Sequence, residues 1–262
     1  MSDRAAPTAY EKAWGDHYEL IDQQLSPLGL KAMEELDLHQ GDAVVDVGCG
    51  AGQTVMQLAE RVGREGRVVG IDIAPSLLEI ARRRSASWPQ VTLVEADAAH
   101  AELASGSANA VFSRFGVMGF RDPVAAFANF RRILKPHGAI GFCCWRSLQE
   151  NEVDRLPLEA TGFGVADETP FSLADPDYVR RILAVAGFAE IVIRAHDEKV
   201  SSGNLDAMAS VLLQVGPLGK VLRETPGLRR EAEPRLRRAL SDLGDPSRVE
   251  LRAAVWIVTA TA

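Results

Sequence analysis

Cysteine is scarce in this chain, three in 262 residues, and the placement of the three excludes a disulfide framework. Cys49 lies among glycines, while Cys143 and Cys144 are neighbours, which on a strand point to opposite faces. Three reduced thiols in a cytoplasmic protein are the expectation. Histidine is nearly as sparse, five in all. None of the five stands at ligand spacing from a cysteine, so no metal site is expected. Aromatic residues make up 6% and no apolar run approaches the length of a membrane span. The opening MSDRAAPTAY lacks the apolar core of a secretory signal. Nor is there an excess of positive charge: 29 Lys and Arg against 36 Asp and Glu leave −7. That balance argues against nucleic acid as the main partner. No internal repeat or low-complexity tract is present.

What is present is the stretch from Ala43 to Ile73. It opens on a short apolar run, Ala43 to Val47, of the kind buried on both faces of a parallel sheet. Gly48, Gly50 and Gly52 follow at alternate positions. Val55, Leu58, Ala59 and Val62 then recur at the spacing of an amphipathic helix, and a second apolar strand, Val68 to Ile73, carries Asp72 near its end. This is a strand, glycine turn, helix and strand of the length of one βαβ unit. Glycine lets a ligand lie against the main chain, and a helix N-terminus offers free N–H groups to it. An acid about twenty residues further on is placed to bind a ribose diol.

The dinucleotide fingerprint fails here, because the third small residue falls on Gln53 or Val55. No Tyr-x-x-x-Lys pair occurs, which further disfavours a nicotinamide oxidoreductase. A phosphate loop fails as well, since Gly52 is followed by Gln53 and Thr54 with no lysine.

Asp46-x-Gly48-x-Gly50-x-Gly52, with Asp72, resembles the first motifs of the class I S-adenosylmethionine-dependent methyltransferases. Glu95-Ala96-Asp97-Ala98, Ser113 to Phe115, Asp122-Pro123 and Leu134-Lys135-Pro136-His137-Gly138 resemble the later ones in order. The likeness covers about residues 10 to 145 and is nearest the ubiquinone and menaquinone biosynthesis type. It implies an α/β fold, a Rossmann-like doubly wound seven-stranded sheet whose last strand is antiparallel, with a helical N-terminal lid and helical insertions. It implies S-adenosylmethionine as cofactor, with contacts carried onto Asp46, Gly48, Cys49, Gly50, Gly52, Asp72, Ile73, Asp97, Ala98 and Ser113. Asp97 and the Ala98 N–H would meet adenine. The absence of an Asn-Pro-Pro-Tyr-type motif after the fourth strand counts against nucleobase and amide N-methylation.

The expected organisation is a lid over 1–40, a cofactor core over 41–146, a loop-rich insertion over 147–174, and the remainder over 175–262 with a helical insertion at 204–245. Tyr10, Trp14 and Tyr18 recur every four residues on a helix over Ala9 to Asp22, and a second helix starts at Pro27. Residues 1–8 are expected to be loose. Arg82 to Arg84 and Arg235, Arg237 and Arg238 read as solvated faces. Trp14, Phe115, Met118 and Trp145 are the candidate walls of a pocket for an apolar or aromatic small molecule, secondary-metabolite or quinone-like. No catalytic residue is assigned. His17 is the best-placed base, with packing its ordinary role, and His137 reads as an exposed loop residue. The expected function is methylation of a small molecule, with a homodimer among the expected partners. A non-catalytic cofactor-binding or RNA-associated protein is the alternative.

Overall fold

The computed structural model describes residues 6–164 and 168–262. Thr8 caps the first helix: its hydroxyl accepts from Glu11 N at 3.1 Å, and Glu11 Oε2 accepts from Thr8 N at 2.7 Å. This capping box satisfies two free N–H groups and starts α1 (Ala9–Asp16). The expected looseness of residues 1–8 therefore fails at Thr8, while residues 1–5 lie outside the described residues. The chain breaks at His17 (φ −122°, ψ 12°) and re-enters as α2 (Tyr18–Glu34), which runs through Pro27 where a new start was expected. Ile21, Leu25, Leu28 and Ala32 are all buried at helical spacing. That continuous stripe outweighs the one N–H proline removes.

The parallel core follows as β1 (Ala43–Val47), α3 (Gln53–Val62), β2 (Arg67–Asp72), α4 (Pro75–Arg84) and β3 (Val91–Glu95). Then come β4 (Ala108–Arg114), α5 (Pro123–Ile133) and β5 (Leu134–Trp145). Pro75 and Pro123 stand at the helix starts, where the missing N–H costs nothing. Beyond Trp145 the segment expected to be loop carries α6 (Glu152–Thr161). Fully buried Asn151 anchors it, its Oδ1 accepting from Ala254 N at 2.7 Å and its amide donating to the Arg146 and Ser147 carbonyls. The chain ends through α7 (Pro176–Val185), β6 (Ala189–Val200), α8 (Leu205–Leu212), α9 (Gly216–Glu224), α10 (Arg229–Ser241) and β7 (Leu251–Thr261).

The seven strands are ordered β3-β2-β1-β4-β5-β7-β6, with β7 antiparallel to both neighbours and β1 to β5 parallel. Strand alternation divides the core into two. Val44, Phe112 and Cys143 face the side covered by α2, α3, α6 and the α8–α10 group. Val45, Val111, Phe142 and Cys144 face α5 and α7. The two adjacent cysteines thus point to opposite faces, as expected. Strand order reverses between β1 and β4, and the carboxyl ends of these strands open the crevice where ligands of such sheets bind.

Candidate active site

Four loops converge at that crevice: 48–52 after β1, 73–74 after β2, 96–97 after β3 and 115–116 after β4. Gly48, Gly50 and Gly52 all take positive φ, at 71°, 50° and 86°, but they serve different ends. A Cβ on Gly48 would stand 2.6 Å from Gly116 Cα, and one on Gly52 2.8 Å from Ala81 Cβ. These two let the loop pack against the β4 loop and α4. At Gly50 a Cβ would meet nothing within 4 Å. Gly50 is the residue of the three that opens onto the crevice. Gly52 ends the turn as the N-cap of α3, whose first turn carries no side-chain cap. An uncapped helix start beside a bare backbone is a ready place for a polar ligand.

Asp72 closes the other wall. Its Oδ2 accepts from Gly50 N at 2.7 Å and its Oδ1 from Ala74 N at 2.9 Å. Each oxygen keeps a lone pair for a ligand hydroxyl. Burial raises its pKa, the three N–H groups of Ala74, Gly50 and Ile73 oppose the rise, and Glu11 adds to it. Ile73, next in the chain, is 71% exposed. Asp97 caps the short turn after β3, accepting from Ala99 N at 2.9 Å and standing 3.1 Å from His100 Nδ1.

Three expected contact residues are turned away from the crevice. Asp46 shares a face of β1 with Val44 and is 0% exposed; Thr54 Oγ1 on α3 donates to its Oδ2. Burial pushes its carboxyl up to about 7, against the Thr54 hydrogen bond and Arg114. Asp46 therefore acts from beneath the loop, through Thr54. Cys49 is buried in the core, its N–H is given to the Ile71 carbonyl at 3.1 Å, and its carbonyl accepts from Gly52 N at 2.9 Å. Ser113 Oγ donates to Val47 O at 2.8 Å and accepts from Gly116 N at 3.0 Å. It ties the β1 and β4 loops together, with no hydrogen left to donate.

A charged cluster beneath α2 escaped the sequence reading. Asp22 on α2 meets Arg114 at the end of β4, Oδ1 to Nη2 at 3.1 Å, and Arg84 on α4, Oδ2 to Nη1 at 2.8 Å. Arg84 Nη1 also donates to Ala51 O at 2.8 Å, so toward Asp22 Oδ2 it is a charge contact more than an aligned hydrogen bond. Arg114 donates to Gln53 Oε1. Arg84 lies 4.7 Å over the Tyr18 ring. Arg84 thus leaves the solvated face expected for Arg82 to Arg84 and holds the glycine loop.

Helix α1 packs against α4. Gly15 of α1 comes close to Ile80 and Leu77 of α4. Tyr10 is 51% exposed, yet burial within its surroundings pushes its hydroxyl up to about 12, with Asp72 adding and Arg223 of α9 opposing. Arg223 lies 5.9 Å over the Tyr10 ring and donates to Gln214 O. Phe115 and Trp145, at the ends of β4 and β5, stack at 4.1 Å. With Trp14 they pack against the larger core. Met118 packs against the core on the opposite side of the sheet, so it does not share a wall with these three. A separate hollow of about 290 Å³, lined by Leu36, His39, Asp42 and Lys135 among others, lies at the amino ends of the strands. Among the described residues no three His, Cys, Asp or Glu side chains are grouped to hold a metal.

Residues 44–138 match a family model described as a methyltransferase domain. The chain is 36% identical over 127 residues to a 2-phytyl-1,4-naphtoquinone methyltransferase of Thermosynechococcus vestitus, covering 46% of this chain and 56% of that protein. It is 32% identical over 192 residues to a demethylmenaquinone methyltransferase of Staphylococcus aureus, covering 67% of this chain and 79% of that one. Among solved structures it is similar to a SAM-dependent methyltransferase from Aquifex aeolicus, at TM-score 0.55 and 16% identity over 94% of this chain and 96% of that one. A Haemonchus contortus phosphoethanolamine N-methyltransferase 2 bound to S-adenosylmethionine gives TM-score 0.59 and 18% identity, over 97% of this chain and 56% of the other.

Proposed function

We propose, from the premise that this chain belongs to the class I S-adenosylmethionine-dependent methyltransferases, that it methylates an apolar or aromatic small molecule of quinol-like shape. The stacked Phe115–Trp145 pair at the ends of β4 and β5 carries that reading. The quinone-type names of its relatives support it. The residues present fit the cofactor: Gly50 is open, the start of α3 is uncapped, and Asp72 and Ile73 line one wall. When bound, the cofactor supplies an electrophilic methyl group. Gly50 and the start of α3 would hold its methionine portion, Asp72 the ribose diol, and Ile73, Asp97 and Ala98 the adenine.

The protein's own work is then largely positioning, which supplies about 7–11 kcal/mol of barrier lowering in well-oriented reactions. Trp14, Phe115 and Trp145 would line the acceptor and exclude water. Residues 1–40 act as a lid in this reading, and the helical group at 204–245 forms the facing wall. The acidic balance of the chain supports a partner other than nucleic acid. A cytoplasmic location and a homodimer complete the proposal, the latter checked by sedimentation.

Calorimetry with S-adenosylmethionine and S-adenosylhomocysteine tests the reading, followed by S-adenosylhomocysteine release on a panel of quinols, phenols and amines. Binding of both and turnover on an aromatic acceptor are expected. No heat with either compound would end it. D72A should weaken binding at least tenfold, and D72E less, because only the latter keeps a diol acceptor.

A further inference from the structure

His17 and Ser210 form an oriented pair outside the cofactor loops. His17 Nδ1 lies 3.1 Å from Ala13 O, and Nε2 lies 2.9 Å from Ser210 Oγ. A carbonyl only accepts, so Nδ1 carries the proton and Nε2 presents its lone pair to the serine hydroxyl. This is a base held in one tautomer by a third group. Ser210 donates its hydrogen to His17, which leaves the lone pairs of Oγ free to accept from another hydroxyl. Both residues are half-buried.

The placement follows from α1. Tyr10 and Trp14 stand at i and i+4 on α1, their rings 5.8 Å apart, and His17 is the C-cap at the break that follows. The Tyr10 end of the helix feels Asp72 on one side and Arg223 on the other. The His17 end meets α8, about 10 Å further along the helix axis. The helix therefore runs between the cofactor crevice and the α8–α10 group, with Trp14 in the middle.

We infer that Ser210 and His17 are a proton relay for a hydroxyl-bearing aromatic acceptor. This rests on the methyltransferase reading and adds the acceptor's chemical class to it. The acceptor's O–H breaks as its proton passes to Ser210 Oγ, while the Ser210 proton passes to His17 Nε2. The electron pair left behind on the acceptor receives the methyl group at oxygen, or at the ring carbon conjugated with it, whose ring proton is then lost to water as the oxygen takes one back. Ser210 touches the acceptor; His17 acts through Ser210. Release of the proton from His17 to water resets the pair.

Charged neighbours on the surrounding elements have partners of their own. Asp16 of α1 pairs with Lys12 at 2.6 Å, and Glu19 of α2 accepts from the Tyr18 hydroxyl at 3.0 Å. Asp206 of α8 pairs with Arg237 at 2.6 Å, and Arg223 of α9 faces Tyr10. Asp154 of α6 and Asp46 beneath the glycine turn, both pushed up to about 7 by burial, are the rival sources of an acid limb in the rate. D154N and D46N are therefore the controls.

The test compares wild type, S210A, H17Q, D154N and D46N with 1,4-naphthoquinol, 1-naphthol, its methyl ether and 1-naphthylamine as probes. The readouts are S-adenosylhomocysteine release across pH and calorimetry with S-adenosylmethionine. S210A and H17Q are expected to lose about a hundredfold in kcat/KM on the hydroxyl probes, with cofactor affinity unchanged. The acid limb should vanish in H17Q, whose amide keeps hydrogen bonds but takes no proton, and persist in D154N and D46N. Nitrogen NMR on labelled histidine should find Nδ1–H in the wild type and a shifted Nε2 signal in S210A. Cofactor binding with turnover only on the amine, or on none of the probes, overturns the relay. So does an acid limb that H17Q retains and D46N loses. A failure to bind the cofactor overturns the methyltransferase reading first, and the relay with it.

Discussion

Asp154 is the side chain whose surroundings are most at odds with its chemistry. It is 8% exposed, has no hydrogen-bond partner or counter-ion for its carboxylate among the described residues, and lies 2.9 Å from the place a Cβ on Gly216 would occupy. Burial alone pushes it up to about 7 from 3.8. The direction of the effect on stability follows from linkage. Below the ordinary value both folded and unfolded chains hold the proton, and the residue costs nothing. Between that value and 7 only the unfolded chain releases it, so stability falls as pH rises. Above 7 the cost is constant. D154N should thus be more stable than wild type at pH 8, by on the order of 2–4 kcal/mol, with the gain gone at pH 3.5. Urea titrations at the two pH values measure it, and an equal gain at both would refute the account.

Among the elements, α2 shows what could be read from the chain and what could not. Periodic apolar residues made β1, α3, β2 and α5 legible, because a strand or helix face is a local pattern. The ion cluster was not legible, since Asp22 and Arg114 are separated by 92 positions and neither carries a local mark of its partner. Pro27 misled the reading of α2, whose buried stripe decided otherwise. Cys49 and Ser113 looked like ligand contacts by position, yet which way each faces is settled by neighbouring loops. Asp22 is the joint of α2 to the glycine turn. Its side chain and that of Arg114 are 9% and 12% exposed. Removing it leaves two guanidinium groups short of their counter-charge. D22A should cost about 3–5 kcal/mol and weaken cofactor binding as the turn loosens. A urea midpoint unchanged within error would show that solvent already compensates the cluster.

For the molecule as a whole, the sheet is sandwiched between two cores, with the candidate site at the carboxyl ends of its parallel strands. Its three thiols are distributed unequally over that plan. Burial raises the Cys49 thiol, with Asp46 and Asp72 adding to the rise; Cys143 is pushed up to about 12 and Cys144 is also raised, both by burial in β5. Cys49 belongs to the glycine turn, which can open while the sheet stays intact; the other two are freed only when β5 leaves its neighbours. Iodoacetamide at pH 8, followed by peptide mass analysis, should therefore label Cys49 first. Saturating S-adenosylhomocysteine should slow that label far more than it slows the other two. Equal slowing of all three would mean the turn does not open by itself. The protein thus carries a two-speed chemical clock, in which one sulfur times the flicker of the ligand's doorway and a neighbouring pair times the collapse of the whole building.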